Sequence, residues 1–194
     1  MTQLESGDIV IVGGGTDWLS KLIYWGSSTR AQKCLYSHTM LGAGLKVADN
    51  TKTAELTFGA DALVMLDKWN PENYGRYIVY GWADPAVQRI ASSYVDELFG
   101  KLNGKPYGAE QYLYFGWRRL CNILALPPRL AIHQWFSWGY ICTTVVNMEI
   151  RHTVQAAGYE VNYPYGNGAM TPLDIVNVCN KLVLDKHLIE KAKK

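Results

Sequence analysis

Short segments that are apolar or alternate between apolar and polar residues dominate the first part of the chain, up to residue 82. Glycines or clusters of small polar residues bound each of them, which is typical of strands. The pattern predicts five strand regions, namely 8–12, 36–48 with a glycine turn inside, 53–58, 61–66 and 77–82. One helix interrupts them, since Trp18, Leu22 and Trp25 recur on one helical face behind the potential cap residues Thr16 and Asp17.

Helical spacing replaces alternation after residue 82. Asp84 followed by Pro85 predicts the start of a helix, and Gly100 is expected to end it. Three further helices are predicted, over about 111–127, over 142–157 and from 171 onward. Strands followed mainly by helices indicate an α+β fold with a largely antiparallel sheet.

The composition is that of one globular domain. The 194 residues are 48% hydrophobic and 19% charged, and the formal net charge is +2. This charge is too small to favour nucleic acid as a partner. The basic segment Lys186–Lys194, which Glu190 interrupts, is interpreted as a solvated helix end.

The segment before the first predicted strand lacks the basic and apolar regions of a secretory signal, and no window has the uninterrupted apolar length of a membrane span. We therefore expect cytoplasmic synthesis without a signal peptide, with delivery to the outside or to a virion by other means. The segment 112–140 is rich in aromatic residues, which suits a substrate wall, a membrane-facing patch or a docking surface, and its part 120–140 could contact a membrane.

Candidate chemistry centres on one of the four cysteines. Their spacing disfavours a zinc site or a disulfide framework, and no cofactor is expected. Cys142 follows an aromatic-rich loop and precedes a helical pattern, so it is predicted at a helix N-terminus, where the helix dipole favours a thiolate. The alternative is a small buried apolar residue, which is how we interpret Cys34, Cys121 and Cys179.

Among the four histidines, His38 is the best candidate for a base, because it begins a predicted strand and a strand mounts a side chain rigidly. His152 lies nearly three turns along the helix that Cys142 begins, and His187 lies in the charged tail; His133 is a reserve candidate. Glu55 lies on the next predicted strand and could orient the imidazole, the alternative being an exposed strand glutamate.

The order of these elements resembles the circularly permuted NlpC-type, papain-like cysteine hydrolases, which include YiiX-like and lecithin:retinol acyltransferase-like proteins. The resemblance spans about residues 7–176 and rests on an ordered set of short motifs: Gly7-Asp8 opening a strand, Ser37-His38, a strand with Glu55, Gly104-Lys105-Pro106-Tyr107, Cys142-Thr143 and Thr171-Pro172. It implies one permuted papain-like domain over 1–194, with 112–140 as an insertion that has no family counterpart. Thr143 stands where the family commonly has serine.

The resemblance implies that Cys142 is the nucleophile, His38 the base and Glu55 the orienting acid. It places Ser37, Tyr107 and Thr143 near the substrate. The expected reaction is amide hydrolysis on peptides of the bacterial cell wall (peptidoglycan), as in a phage-encoded lysin, with the Cys142 backbone N–H as oxyanion donor. Two alternatives stay open, namely acyl transfer or thioester hydrolysis on a lipid, and a non-catalytic module of a larger assembly such as a phage particle.

Overall fold

The protein is described by a computed structural model that covers residues 3–44, 46–49, 65–103, 105, 108, 111–126, 141–161 and 170–194. It is an α+β fold with a six-stranded antiparallel sheet of order β4-β3-β2-β1-β5-β6. The strands are β1 (Ile9–Gly13), β2 (His38–Ala43), β3 (Lys46–Asp49), β4 (Met65–Lys68), β5 (Arg76–Trp82) and β6 (Leu188–Lys193). The predicted strand 53–58 and most of 61–66 lie outside the described residues.

Five helices belong to the described residues, together with a short 3₁₀ turn at Pro71–Asn73. They are α1 (Trp18–Ser27), α2 (Pro85–Leu102), α3 (Gln111–Ile123), α4 (Cys142–Ala156) and α5 (Pro172–Leu184). The α+β expectation is confirmed at this level. No helix in the described part of the chain is long and apolar enough to cross a membrane.

The main core lies between one face of the sheet and helices α2, α4 and α5. Alternation sends Ile9 and Ile11 of β1 to this face, where Leu41 of β2 and Ile78 of β5 join them. The opposite face carries a smaller cluster around Val10, Val12, Met40, Val47 and Val79. Because both faces of β1 are covered, its sequence is an uninterrupted apolar run.

The Gly7-Asp8 motif has a structural role at the start of β1. Gly7 has a φ of +90°, and a Cβ there would lie 2.7 Å from the Cβ of Ala91 on α2. Asp8 is fully buried, and its carboxylate accepts hydrogen bonds from the Glu5 backbone N–H and from Lys191 Nζ, each at 2.9 Å. The motif therefore joins the first turn of the chain to α2 and to the last strand.

Local capping chemistry explains where several helices begin and end. Asp84 caps α2 as predicted, and Thr171 forms a capping box with Asp174 at the start of α5. Gly158, with a φ of +71°, follows the end of α4 as expected of a helix-ending glycine. Gly100 was expected to end α2, and this was wrong, because the helix continues to the buried Leu102. Burial of that leucine outweighs the glycine penalty of about 1 kcal/mol.

The basic tail is a strand, so its interpretation as a solvated helix end was wrong. Residues Leu188–Lys193 form β6, which pairs with β5 at the edge of the sheet. Edge strands tolerate lysines because one side of the strand faces solvent. Lys191 also extends from this edge strand over Gly81 of β5 to Asp8 and Glu5, so part of the charge serves structure.

Candidate active site

Cys142 is the first residue of α4, where the sequence predicted a helix N-terminus. Ile141 occupies the N-cap position, and its apolar side chain makes no capping hydrogen bond. Within the helix, the Thr144 and Val145 N–H groups both donate to the Ile141 carbonyl. The backbone N–H groups of Cys142 and Thr143 lie ahead of that ladder, at the end where the helix dipole attracts negative charge.

His38 begins β2, and helix α4 packs directly against that strand. The imidazole faces the sulfur of Cys142, with which it interacts through its charge and a hydrogen bond. Thr39, the next residue of β2, also lies against the sulfur. Two elements that are distant in the sequence therefore bring a thiol, an imidazole and the donors of a helix terminus together.

These neighbours change the acidity of the thiol. Burial is the largest single influence on the pKa of Cys142, and alone it would raise that pKa. The charge of His38 and its hydrogen bond, followed by the backbone and side chain of Thr39, act in the opposite direction. Together they hold the pKa of Cys142 below the ordinary value of a thiol, which favours the thiolate.

Thr39 contributes mainly through its backbone N–H. Its hydroxyl lies near the sulfur but makes no hydrogen bond of standard geometry with the described residues. The hydroxyl therefore lowers the pKa of Cys142 as a nearby dipole and not through a hydrogen bond. Alternation along β2 places Thr39 on the face of Leu41, toward the helices, and His38 on the other face, so the sequence pattern alone does not group these two residues around Cys142.

Two of the other cysteines have pKa values shifted in the opposite direction. Cys34, Cys121 and Cys179 are buried, as the interpretation of packing residues requires. Burial raises the pKa of Cys34 to about 11, and burial followed by the charge of Glu149 raises that of Cys179. Cys142 is equally buried, with 4% of its surface exposed, so its lowered pKa comes from its partners and not from solvent.

Buried polar atoms without partners concentrate on the first two turns of α4. The hydroxyls of Thr143 and Thr144 and the Oδ1 atom of Asn147 have no hydrogen-bond partner among the described residues. Buried polar groups are normally satisfied by protein, water or ligand. Three such atoms therefore lie on the first two turns of the helix that Cys142 begins.

The remaining predicted site residues fall into two groups. Ser37 is half-buried beside His38, and its backbone N–H donates to the Val12 carbonyl at 3.0 Å; Thr143 is fully buried next to Cys142. Glu55 and Tyr107 lie outside the described residues, so their predicted roles stay predictions.

Two of the other histidines have separate structural contacts. His152 stacks on Tyr94 with ring centroids 3.8 Å apart, and His187 stacks on Tyr159 at 3.7 Å. His133 lies outside the described residues. Within the described segments, no three His, Cys, Asp or Glu side chains are grouped as a metal site would require.

Comparison with known proteins adds no assignment to this geometry. No protein-family model, no curated protein and no solved structure matches the chain. The functional argument therefore rests on the residues at the start of α4 and β2.

Proposed function

We propose that this protein is a cysteine hydrolase of the circularly permuted papain-like type, with Cys142 as nucleophile and His38 as base. One observation carries the proposal: the imidazole of His38 lies against the buried thiol of Cys142, which begins an uncapped helix packed on the strand that His38 begins. A thiol that only fills space has no need of either feature, as Cys34 and Cys179 illustrate. A helix that packs its N-terminal cysteine against a histidine-bearing antiparallel strand also suits the papain-like architecture.

The chemistry follows from the positions of the groups. His38 accepts the thiol proton, and the Cys142 thiolate attacks an acyl carbon to form a tetrahedral intermediate. Its oxyanion would receive hydrogen bonds from the backbone N–H groups of Cys142 and Thr143. The imidazolium then protonates the leaving group, the carbon–heteroatom bond breaks, and a thioester remains. Water, deprotonated by His38, hydrolyses the thioester and restores the thiol. In this proposal Glu55 orients His38.

A cell-wall peptide is the first substrate candidate, on the resemblance described above. A lipid acyl group is the second, and a specific observation favours it: the described part of the aromatic-rich segment exposes Leu113, Trp117 and Leu120. The third alternative, a non-catalytic module, would tolerate loss of the site geometry. The interaction of His38 with the Cys142 sulfur argues against such a loss.

The reactivity of Cys142 toward iodoacetamide tests the proposal. This small reagent suits a thiol that is 4% exposed. Alkylation of the folded protein between about pH 4 and pH 9, located by mass spectrometry, should modify Cys142 well below the reference thiol pKa of about 8.5. His38→Ala should move that reactivity upward in pH. His152→Ala is the matched control, because it removes a histidine that lies on α4, like Cys142, but stacks on Tyr94. It should leave the pH dependence of Cys142 alkylation unchanged.

Equal reactivity of Cys142 and the buried Cys34 near pH 6 would overturn the proposal, because the pKa of Cys34 is raised to about 11. If Cys142 reacts selectively, peptidoglycan fragments and acyl thioesters are then offered to wild type and Cys142→Ala. Turnover of one class, absent in the variant, identifies the substrate.

A further inference from the structure

Helix α3 presents an apolar stripe to the outside. Leu113, Trp117, Leu120 and Leu124 recur at helical spacing, so they lie along one side of the helix and its last turn. Their exposed fractions are 68%, 40%, 41% and 57%, whereas Arg118 of the same helix is only 9% exposed. A surface helix in water normally has the reverse arrangement, with apolar residues inward and charges outward.

The stripe belongs to a larger apolar area that α1 extends. Helices α1 and α3 pack together, and Trp25 lies beside α3, since a Cβ on Gly116 would be 3.7 Å from its indole ring. The described residues have eleven exposed large hydrophobic side chains, and eight of them lie in 18–35 and 113–124. We call the residues 18–35 and 111–126 the α1–α3 surface. Such clustering marks an interaction site, whereas scattered exposed residues do not.

The α1–α3 surface also carries charge of one sign. It contains five Lys or Arg residues and no Asp or Glu, while the remainder of the chain has fourteen basic and seventeen acidic residues. Arg118 is neutralised by a buried ion pair with Asp174, but Lys21, Arg30 and Lys33 are exposed. The nearest acidic residue in the sequence, Asp17, is engaged as the cap of α1.

We propose that the α1–α3 surface docks the protein onto a bilayer whose headgroups include anionic phospholipids. Leucine and tryptophan side chains beside lysine and arginine are the composition that binds at a membrane interface, where the apolar groups enter the headgroup region. Anionic headgroups complement the cations. A second copy of the chain is a poorer occupant, because a symmetric dimer would place two surfaces of the same charge against each other.

Vesicle co-sedimentation of the full chain tests this surface. Phosphatidylcholine vesicles are compared with vesicles of phosphatidylcholine and phosphatidylglycerol. We expect binding to the anionic vesicles that weakens at high salt. Lys21→Gln combined with Lys33→Gln should weaken it about 25-fold, since each cation near an anionic surface contributes about fivefold. Both side chains are exposed, so the fold should survive, which a thermal melt verifies.

The apolar part is tested by Leu113→Gln combined with Leu124→Gln, the two most exposed leucines of the stripe. Leu184→Gln is the matched control, because Leu184 is 81% exposed and is the last residue of α5, at the opposite end of that helix from Asp174, the partner of Arg118. The double variant should lose vesicle binding and the control should keep it. Absence of binding to anionic vesicles overturns the proposal. A dimer in solution that the double variant converts to monomer would overturn it in favour of a self-interface.

The docking surface does not depend on the thiol chemistry. Cys142→Ala should bind the same vesicles as wild type. If Cys142 is not alkylated selectively but the protein binds anionic vesicles, the proposed hydrolase is refuted and the membrane surface is supported. If Cys142 is alkylated selectively but the protein does not bind vesicles, the membrane surface is refuted and the proposed hydrolase is supported.

Discussion

Replacing Glu149 with glutamine should make the protein more stable at neutral and alkaline pH. Glu149 is fully buried in α4, and its Oε1 atom accepts hydrogen bonds from Trp82 Nε1 at 3.2 Å and from Thr153 Oγ1 at 3.0 Å. Its Oε2 atom has no partner among the described residues. Burial, the largest influence, raises the pKa of this carboxyl to about 8, so the folded protein holds it protonated at neutral pH.

The pKa difference between the folded and unfolded chains determines the sign and size of the effect. The ordinary pKa of the group is 4.5 and the folded value is about 8. Between those values the folded state binds one proton more than the unfolded state, so the free energy of unfolding falls as pH rises, by about 1.4 kcal/mol per pH unit. Between pH 5 and pH 8 the loss amounts to about 3.5 kcal/mol, because the slope becomes smaller near each of the two pKa values.

Glutamine resembles the protonated acid in shape and keeps an oxygen acceptor, so Glu149→Gln removes this loss. The assay is urea unfolding of both proteins at several pH values, with the difference in free energy of unfolding as the readout. Subtracting wild type from the variant at each pH cancels the other titrating groups. The difference should grow by about 3.5 kcal/mol from pH 5 to pH 8.

Glu149→Met is a second variant that separates protonation from hydrogen bonding. It also cannot ionise, so it should show the same pH slope as the glutamine variant. It leaves the Trp82 and Thr153 donors unpaired, which should make it less stable than the glutamine variant by about 1–3 kcal/mol at every pH. A pH-independent difference between wild type and Glu149→Gln would refute the reasoning, because it would mean that the acid ionises alike in both states.

Further predictions concern the buried ion pair and the glycine turn, measured as free energies of unfolding. Arg118→Met should cost about 3–5 kcal/mol because it leaves the buried Asp174 carboxylate without its cation. Lys181→Met, which breaks an exposed ion pair, should cost less than about 1 kcal/mol. Similar costs for the two variants would contradict the reasoning that burial makes the loss of the Arg118 cation expensive. Gly7→Ala should cost about 3 kcal/mol, since it combines a positive φ with a Cβ clash. Gly44→Ala, also at positive φ but with no atom within 4 Å of the added Cβ, should cost only about 1 kcal/mol. An equal loss in both variants would show that the contact with Ala91 does not add to the cost of Gly7→Ala.

Local sequence patterns predicted much of the secondary structure. The caps Asp84 and Thr171, each followed by proline, and the helix-ending Gly158 act within a few residues, so the sequence shows them directly. The position of Cys142 at a helix start is of the same kind. Strand β6 was missed because its lysines suit an edge strand as well as a solvated helix, and only pairing with β5 distinguishes the two.

The sequence also separated Cys142 from the other three cysteines by its context, and it proposed His38 as the partner. The contact between them was an inference from order and resemblance, and the packing of α4 on β2 is what brings them together in space. The orienting role predicted for Glu55 is still a prediction, since that residue lies outside the described residues.

By itself, then, the sequence determined the α+β class, most helix starts and the candidate nucleophile, because caps, turns and periodicity depend on neighbouring residues. Only the tertiary structure decided what each face meets. Periodicity put Trp18, Leu22 and Trp25 on one side of α1, yet Trp18 and Trp25 are 60% and 46% exposed. The spacing of Leu113, Trp117 and Leu120 likewise shows that they share one side of α3, but not that this side is exposed. The sequence also does not show that Glu149 is buried. A pattern of apolar residues shows which side chains share a face, whereas the packing of distant elements decides whether that face is covered. Packing also decides whether a buried acid keeps its proton at neutral pH.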